Sequence, residues 1–149
     1  MLDNTIAGGI AAGEDPFECI IREAAEEGSL PEELMRAKAK ATGAISYIHL
    51  RSEKAGGEVG LVQPETQYSW DLEVTEDVVP KPADGEVAEF NLWSVQQVKK
   101  AMSEGQFKTN CAMYMIEFLI RHGYITAKDE EDYQEIIWRM HRRIIFERP

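Results

Sequence analysis

Residues 8–30 read GGIAAGEDPFECIIREAAEEGSL, and no other segment limits the fold of this chain as tightly. A glycine-rich loop, 7–13, runs into Asp15 and Pro16, a capping side chain followed by proline at the first helical position. The spacing predicts a helix over 17–27. Phe17, Ile20, Ile21 and Ala24 then share one face, which needs a core to pack against. Glu23, Glu26 and Glu27 stand at i, i+3 and i+4, so their carboxylates gather on another face. Three like charges repel unless a cation joins them. Hard oxygen donors on a rigid element suit Mg²⁺ or Mn²⁺, which keep some waters and reach substrate phosphates. Arg22 lies beside the cluster, where a charge-assisted hydrogen bond would orient it. Alone, the E-x-x-E-E pattern reads more readily as a solvated acidic helix face. The glycine-rich loop before it favours the metal reading, because glycine accepts backbone conformations closed to other residues and lets a carbonyl approach an ion.

With 149 residues the chain is long enough for one domain with a real core, and the remainder supplies strands and helices around this element. Residues 31–40 are expected as a second short helix and 41–51 as a strand. EKAGGEVG, 53–60, is a turn or loop. From 67 to 74 the chain alternates, with Tyr68, Trp70, Leu72 and Val74 on one side and Ser69, Asp71 and Glu73 on the other, the pattern of a half-buried strand. Residues 80–85 form a loop, and 86–93 a further strand with Ala88, Phe90 and Leu92 facing one way. Helices are expected over 95–104, 111–122 and 129–144, the last with a basic end, WRMHRR, placed well for the helix dipole.

Composition narrows the function classes. The net charge of −11 argues against binding a nucleic-acid backbone, which needs clustered Lys and Arg. It also means that an anionic substrate requires a metal or a local basic patch. No run is long and apolar enough to cross a membrane. Cys19 and Cys111 have no metal-type spacing and read as buried free thiols, which fits a reducing, cytoplasmic setting. His49, His122 and His141 show no ligand spacing and read as surface or packing residues.

Gly8, five residues, Glu14, seven residues, Arg22-Glu23, and Glu26-Glu27 close behind: this spacing resembles the Nudix box, the metal-binding signature of enzymes that hydrolyse diphosphates linked to another group. One position departs. The family usually carries glycine two residues after the second paired glutamate, where this chain has Ser29, and the glycine stands at Gly28. The displaced glycine predicts a helix that closes one residue early. Longer segments, among them AGGEVGLVQPETQYSWDLEV, VVPKPADGEVAEFNLWSVQQV and FKTNCAMYMIEFLIRHG, are similar to one branch: the Nudix domain of thiamine pyrophosphokinase-related proteins. Ser29 is shared with that branch. A looser resemblance, mainly EVAEFNLWS, links the chain to isopentenyl diphosphate isomerases.

The resemblance implies an α/β fold, an α/β/α sandwich with a mixed sheet, over a single domain 1–149 with C-terminal helices from about 95. In the family further strands precede the box, so the chain is expected as an N-terminally truncated version, prone to self-association through an open sheet edge. The implied ligands of Mg²⁺ or Mn²⁺ are Glu23, Glu26, Glu27 and the carbonyl of Ala7. The implied catalytic group is Glu26, Glu27 and Arg22, with a general base that is one of the box glutamates or a loop carboxylate, Glu86 before Glu65. The implied substrate is a small-molecule diphosphate, thiamine diphosphate or an oxidised form, cleaved to the monophosphate. Tyr68 and Trp70 are candidates to hold the cationic thiazolium by cation–π contact, though plain core positions are the readier reading of both. The competing functions are an isomerase acting on an allylic diphosphate and a non-catalytic, metal-binding interaction module.

Overall fold

A computed structural model describes residues 1–50, 59–83 and 85–141, the side chain of His49 excepted. Seven elements follow in order: helix α1 (Pro16–Gly28), helix α2 (Glu32–Lys38), strands β1 (Ala39–Leu50) and β2 (Val62–Leu72), and helices α3 (Val95–Ser103), α4 (Thr109–Arg121) and α5 (Tyr133–Met140). The class is α/β, as expected. The chain divides into two compact units, Met1–Lys40 with Trp70–Tyr124, and Ala41–Ser69 with Ile125–Pro149.

In the first unit α1 begins where the sequence places it. The Asp15 carboxylate accepts the N–H of Phe17 at 2.8 Å, and Pro16 fills a position whose N–H would have no partner. Its apolar face buries Ile21 and Ala24 against Leu30 and Met35, with Ile6, Phe17, Ile20, Leu34 and Leu72 around them. Helix α2 is tied to α1 by Arg36, which bonds Glu18 at 2.6 and 2.8 Å and Glu32 at 2.7 Å. A second cluster joins Ala101 of α3 to Phe107 and Cys111, with Leu2, Trp93 and Met115 packed on it. Helix α3 starts at a capping box in which Ser94 and Gln97 bond reciprocally, at 3.3 and 2.8 Å.

The end of α1 corrects an expectation. The helix does not close early. It runs through Gly28, and Ser29 itself takes the left-handed conformation, φ 52°, returning its N–H to Ala24 and Ala25. Glycine at 28 answers a packing need instead: a Cβ there would lie 2.8 Å from Ile6 Cδ1 and 3.5 Å from Phe90 Cζ.

Residues 86–93, expected as a strand, form no strand. Leu92 is wholly exposed (101%) and Ala88 is exposed, so two of the three side chains expected to face inward meet solvent. Such a run takes strand form only when a neighbour accepts its backbone hydrogen bonds. Among the described residues none does, and 86–93 serves as the approach to α3.

Strands β1 and β2 form a two-stranded sheet. Side-chain pairs Thr42–Ser69 (2.7 Å), Ser46–Thr66 (2.8 Å) and Tyr47–Glu65 rise along one strand and fall along the other, so the pairing is antiparallel. Both strands start earlier than expected, and β2 includes Pro64, which a strand tolerates at an edge. Alternation in β2 is real, but its faces are reversed over 62–69: Gln63, Glu65, Gln67 and Ser69 are the more covered set, and Tyr68 is half exposed. Only Trp70 and Leu72 turn toward apolar neighbours, Phe17 and the α1 cluster.

In the second unit α5 begins at Tyr133, later than the predicted 129, and is described through Met140. Residues 126–130 form turns closed by Thr126 Oγ1 donating to Asp129 at 2.7 Å, and the basic end from Arg142 onward lies outside the described residues, as does most of 53–60. Among the described residues no helix is long and apolar enough to cross a membrane. Both cysteines are buried free thiols, as expected.

Candidate functional site

Glycine opens the site. A Cβ on Gly8 would fall 1.9 Å from the carboxyl carbon of Glu23 and 2.3 Å from its Cγ, so no other residue at position 8 lets that carboxylate lie where it does. The loop then turns through Gly13, at φ +84°, and delivers Glu14 to the base of α1. Glu14 Oε2 accepts the Ala11 N–H at 2.9 Å, closing the turn.

Arg22 organises the carboxylates. Its Nε donates to Glu14 at 3.0 Å, and its Nη1 donates to both Glu23 at 2.8 Å and Glu26 at 3.2 Å. The Glu26 contact follows from helical spacing, four positions on, while Glu23, one position away, is reached by the same nitrogen without help from that spacing. The effect on Glu14 is large: hydrogen bonding from Arg22 and from the Ala11 backbone holds its carboxyl down at about 2. The same bonds push the Arg22 guanidinium further up, so the cation is permanent. Arg22 Nη2 also approaches the carbonyl of Gly9 at 3.5 Å, as does the Cys19 thiol, so both fasten the loop to the helix. Burial and the Glu14 charge raise the Cys19 thiol, which stays protonated.

Glu27 faces elsewhere. Its Oε2 accepts the N–H of Ala7 at 3.0 Å. Ala7 is therefore in contact with Glu27 through its N–H, not through the carbonyl that the resemblance implied as a ligand. Ahead of it the N-terminal residues run beside the start of α4. Leu2 forms a parallel bridge with Phe107, its N–H donating to Gln106 at 2.8 Å and its carbonyl accepting from Lys108 at 3.0 Å. Asp3 accepts from Lys108 Nζ and, at 2.8 Å, from the Cys111 thiol. Burial pushes the Asp3 carboxyl up, but bonds from Cys111, Lys108 and Asn4 outweigh it and hold it below the usual range. Burial and the Asp3 bond push Cys111 up to about 12.

The donor set tests well for a hard divalent ion. A positive centre already sits among three carboxylates, and every donor is oxygen. Among the described residues no three or more His, Cys, Asp or Glu side chains converge as a ready-made metal cage. The carboxylates are spent on Arg22 and the Ala7 N–H instead, and an ion would have to draw them from these partners.

The other sequence candidates have their own surroundings. Trp70 packs on Phe17, ring centres 5.9 Å apart, on the apolar side of α1. Tyr68 is half exposed on β2. Glu65 accepts from Tyr47 Oη across the sheet. Glu86 is exposed in its loop. Sequence reading gave Glu14 no chemical role and passed over Asp3 and Lys108 altogether. Glu14 had a signal, its fixed distance ahead of Arg22. Asp3 and Lys108 had none, since they meet across 105 positions.

Three known proteins are similar to this chain over most of its length. An uncharacterized protein of Saccharomyces cerevisiae is 43% identical over 150 residues, covering 98% of this chain and 44% of its own length. Nudix hydrolase 20, chloroplastic, of Arabidopsis thaliana is 33% identical over 144 residues, covering 96% of this chain and 36% of its own. Nudix hydrolase 24, chloroplastic, of the same plant is 32% identical over 125 residues, 83% of this chain and 32% of its own. The chain thus spans less than half the length of these relatives. The NUDIX domain pattern matches residues 2–112, from the N-terminal segment through the carboxylate helix to the start of α4, and the chain belongs to the NUDIX domain family.

Proposed function

We propose that this chain is a hydrolase of diphosphate linkages, dependent on Mg²⁺ or Mn²⁺ and worked by the carboxylates of α1. The observation that carries the reading is the seat of Glu23: a glycine is spent to admit it, and Arg22 holds it beside Glu26 and Glu14. A solvated acidic face would need neither. Two relatives are named Nudix hydrolases, which supports the same class.

Bound there, the ion would supply charge neutralisation for the diphosphate and acidify a water. Glu23, Glu26 and Glu27, with the Ala7 carbonyl, are the residues to hold it. Arg22 orients Glu23 and Glu26 and, through Glu14, the loop. In the reaction a water oxygen bonds to one phosphorus, the bridging P–O bond breaks, and the leaving phosphate departs with the electron pair. A carboxylate takes the water's proton. Glu26 and Glu27 are the first candidates for that base and Glu86 the next.

For the substrate we favour thiamine diphosphate or an oxidised derivative, released as monophosphate and inorganic phosphate. The support is the branch resemblance and the acidic chain, which prefers a cationic thiazolium to a purely anionic ligand. Of the two aromatic candidates Tyr68 has its ring open to solvent, while Trp70 is engaged with Phe17. The buried free thiols suit a reducing compartment such as the cytoplasm. A panel of thiamine diphosphate, its oxidised form, ADP-ribose, an oxidised nucleoside triphosphate and an isoprenoid diphosphate, each assayed with Mg²⁺, tests the reading. Fastest release of phosphate from a thiamine compound is expected. Faster turnover of ADP-ribose or the nucleotide removes the thiamine assignment, and turnover of none removes the hydrolase.

A further inference from the structure

A diphosphate brought to an acidic chain needs a cation of its own. Near the α1 carboxylates the arginines are committed: Arg22 to Glu14, Glu23 and Glu26, and Arg36 to Glu18 and Glu32. Lys108 is placed differently. It precedes α4, its backbone N–H is anchored on Leu2, and its ammonium is held by Asp3 with the side chain 53% exposed. A lysine ammonium has three donors. With one given to Asp3, the exposed head has capacity for an incoming oxyanion.

Its position follows from the chain path. Asp3, which holds the ammonium, and Ala7, whose N–H meets Glu27, are four residues apart, so at most about 14 Å of chain separates them. The segment between them continues directly into Gly8, against Glu23. The Asp3 hydrogen bond above all keeps the Lys108 amine protonated, and the Asp3, Cys111 and Glu27 charges add to it in smaller measure. The N-terminal segment therefore links the start of α4, where Lys108 sits, to the Glu27 end of the carboxylate cluster.

From this juxtaposition we propose that Lys108, oriented by Asp3, is a substrate-positioning residue that binds the phosphate of the diphosphate on the Glu27 side of the site. The proposal rests on the hydrolase reading for its place in a reaction, and adds the group that holds the anion. As a mere surface ion pair, the Lys108–Asp3 contact would stabilise the fold only slightly and add nothing to ligand affinity.

Two measurements on the whole chain separate these cases. The first is calorimetric binding of inorganic pyrophosphate without metal, for the wild type, Lys108→Met, Lys108→Arg and Lys100→Met, the last removing one exposed charge on α3. The expected result is binding weakened at least about tenfold by Lys108→Met, largely restored by Lys108→Arg, and unchanged by Lys100→Met. The second is steady-state hydrolysis of the best substrate with Mg²⁺, where Lys108→Met is expected to raise KM at least about tenfold with a smaller change in kcat. If the wild type hydrolyses nothing but binding depends on Lys108, the hydrolase reading fails and the anion site stands. If Lys108→Met binds pyrophosphate as the wild type does, lowers affinity only as much as Lys100→Met, or leaves KM within about twofold, the proposal is wrong. Absence of pyrophosphate binding by the wild type overturns it as well.

Discussion

Gly8→Ala, read beside Gly9→Ala, isolates the geometry on which the site depends. The two positions are adjacent, in one loop, and change by the same methyl group. A Cβ at Gly9 meets nothing within 4 Å, whereas one at Gly8 lands 1.9, 2.0 and 2.3 Å from Glu23 Cδ, Oε1 and Cγ. Non-bonded carbons sit at about 3.5–4.0 Å. The shortfall is therefore on the order of 1.5 Å, and it includes Cγ, so turning the carboxylate alone does not relieve it. Glu23 must change rotamer or the loop must lift, and either parts it from Arg22. Insertions that force such shifts cost about 1–3 kcal/mol. For a chain near this size that lowers the melting temperature by roughly 3–10 °C. Gly9→Ala should be neutral or raise stability by about 0.4–1 kcal/mol through the unfolded chain. In the hydrolase assay, displacing Glu23 by about an ångström should cost on the order of a hundredfold in kcat, and Gly9→Ala less than about threefold. Thermal melts and initial rates on the three proteins decide. Equal damage from both alanines would show that the loop needs flexibility, not space, and would refute the argument from Glu23. Wild-type turnover in Gly8→Ala would refute it more directly.

Glu26→Gln and Glu27→Gln should each reduce turnover at least about a hundredfold at saturating Mg²⁺ with the fold nearly intact, because the amide oxygen introduced by Glu27→Gln still accepts the Ala7 N–H; circular dichroism with rates checks both halves. Glu14 supplies a pH signature. Its folded value of about 2 lies below its ordinary 4.5, so its stabilising bonds are fully present above about pH 4.5 and fade as pH falls toward 2. The stability gap between wild type and Glu14→Gln, from denaturant midpoints, should thus be widest near neutral pH and narrow steadily below about 4.5; a gap independent of pH would count against the Arg22 bond as its cause. Ser29→Gly trades relief of a left-handed backbone against the loss of the Ser29 Oγ bond to the Lys81 carbonyl at 3.2 Å. Since the first is worth about 1–2 kcal/mol and the second about 0.5–1.5, the balance runs from about −0.5 to about +1.5 kcal/mol; a net gain is expected from melts, and a clear loss would mean that the hydroxyl bond dominates.

Local sequence determined the carboxylate helix almost completely. Asp15 and Pro16 set its start, the apolar spacing its buried face, and the positions of Arg22, Glu23 and Glu26 their meeting, because all these effects act within one or two helical turns. The start of α3 at Val95 was legible for the same reason, whereas α4 begins at Thr109, two residues ahead of the expected 111, without a side-chain cap. What the sequence alone could not decide was everything that depends on a distant partner. Gly28 looked like a displaced helix terminator, and only Ile6 and Phe90 packing against it explain why glycine is there while Ser29 makes the turn. Residues 86–93 alternate like a strand, but among the described residues they find no strand to bond. In β2 the period was readable and the covered face was not, since a strand's pattern fixes which residues share a side and its surroundings choose the side that is buried. Asp3 and Lys108 are the furthest case. Each is an ordinary surface charge in sequence, and only the fold, by laying the N-terminal segment along the start of α4, makes them a pair.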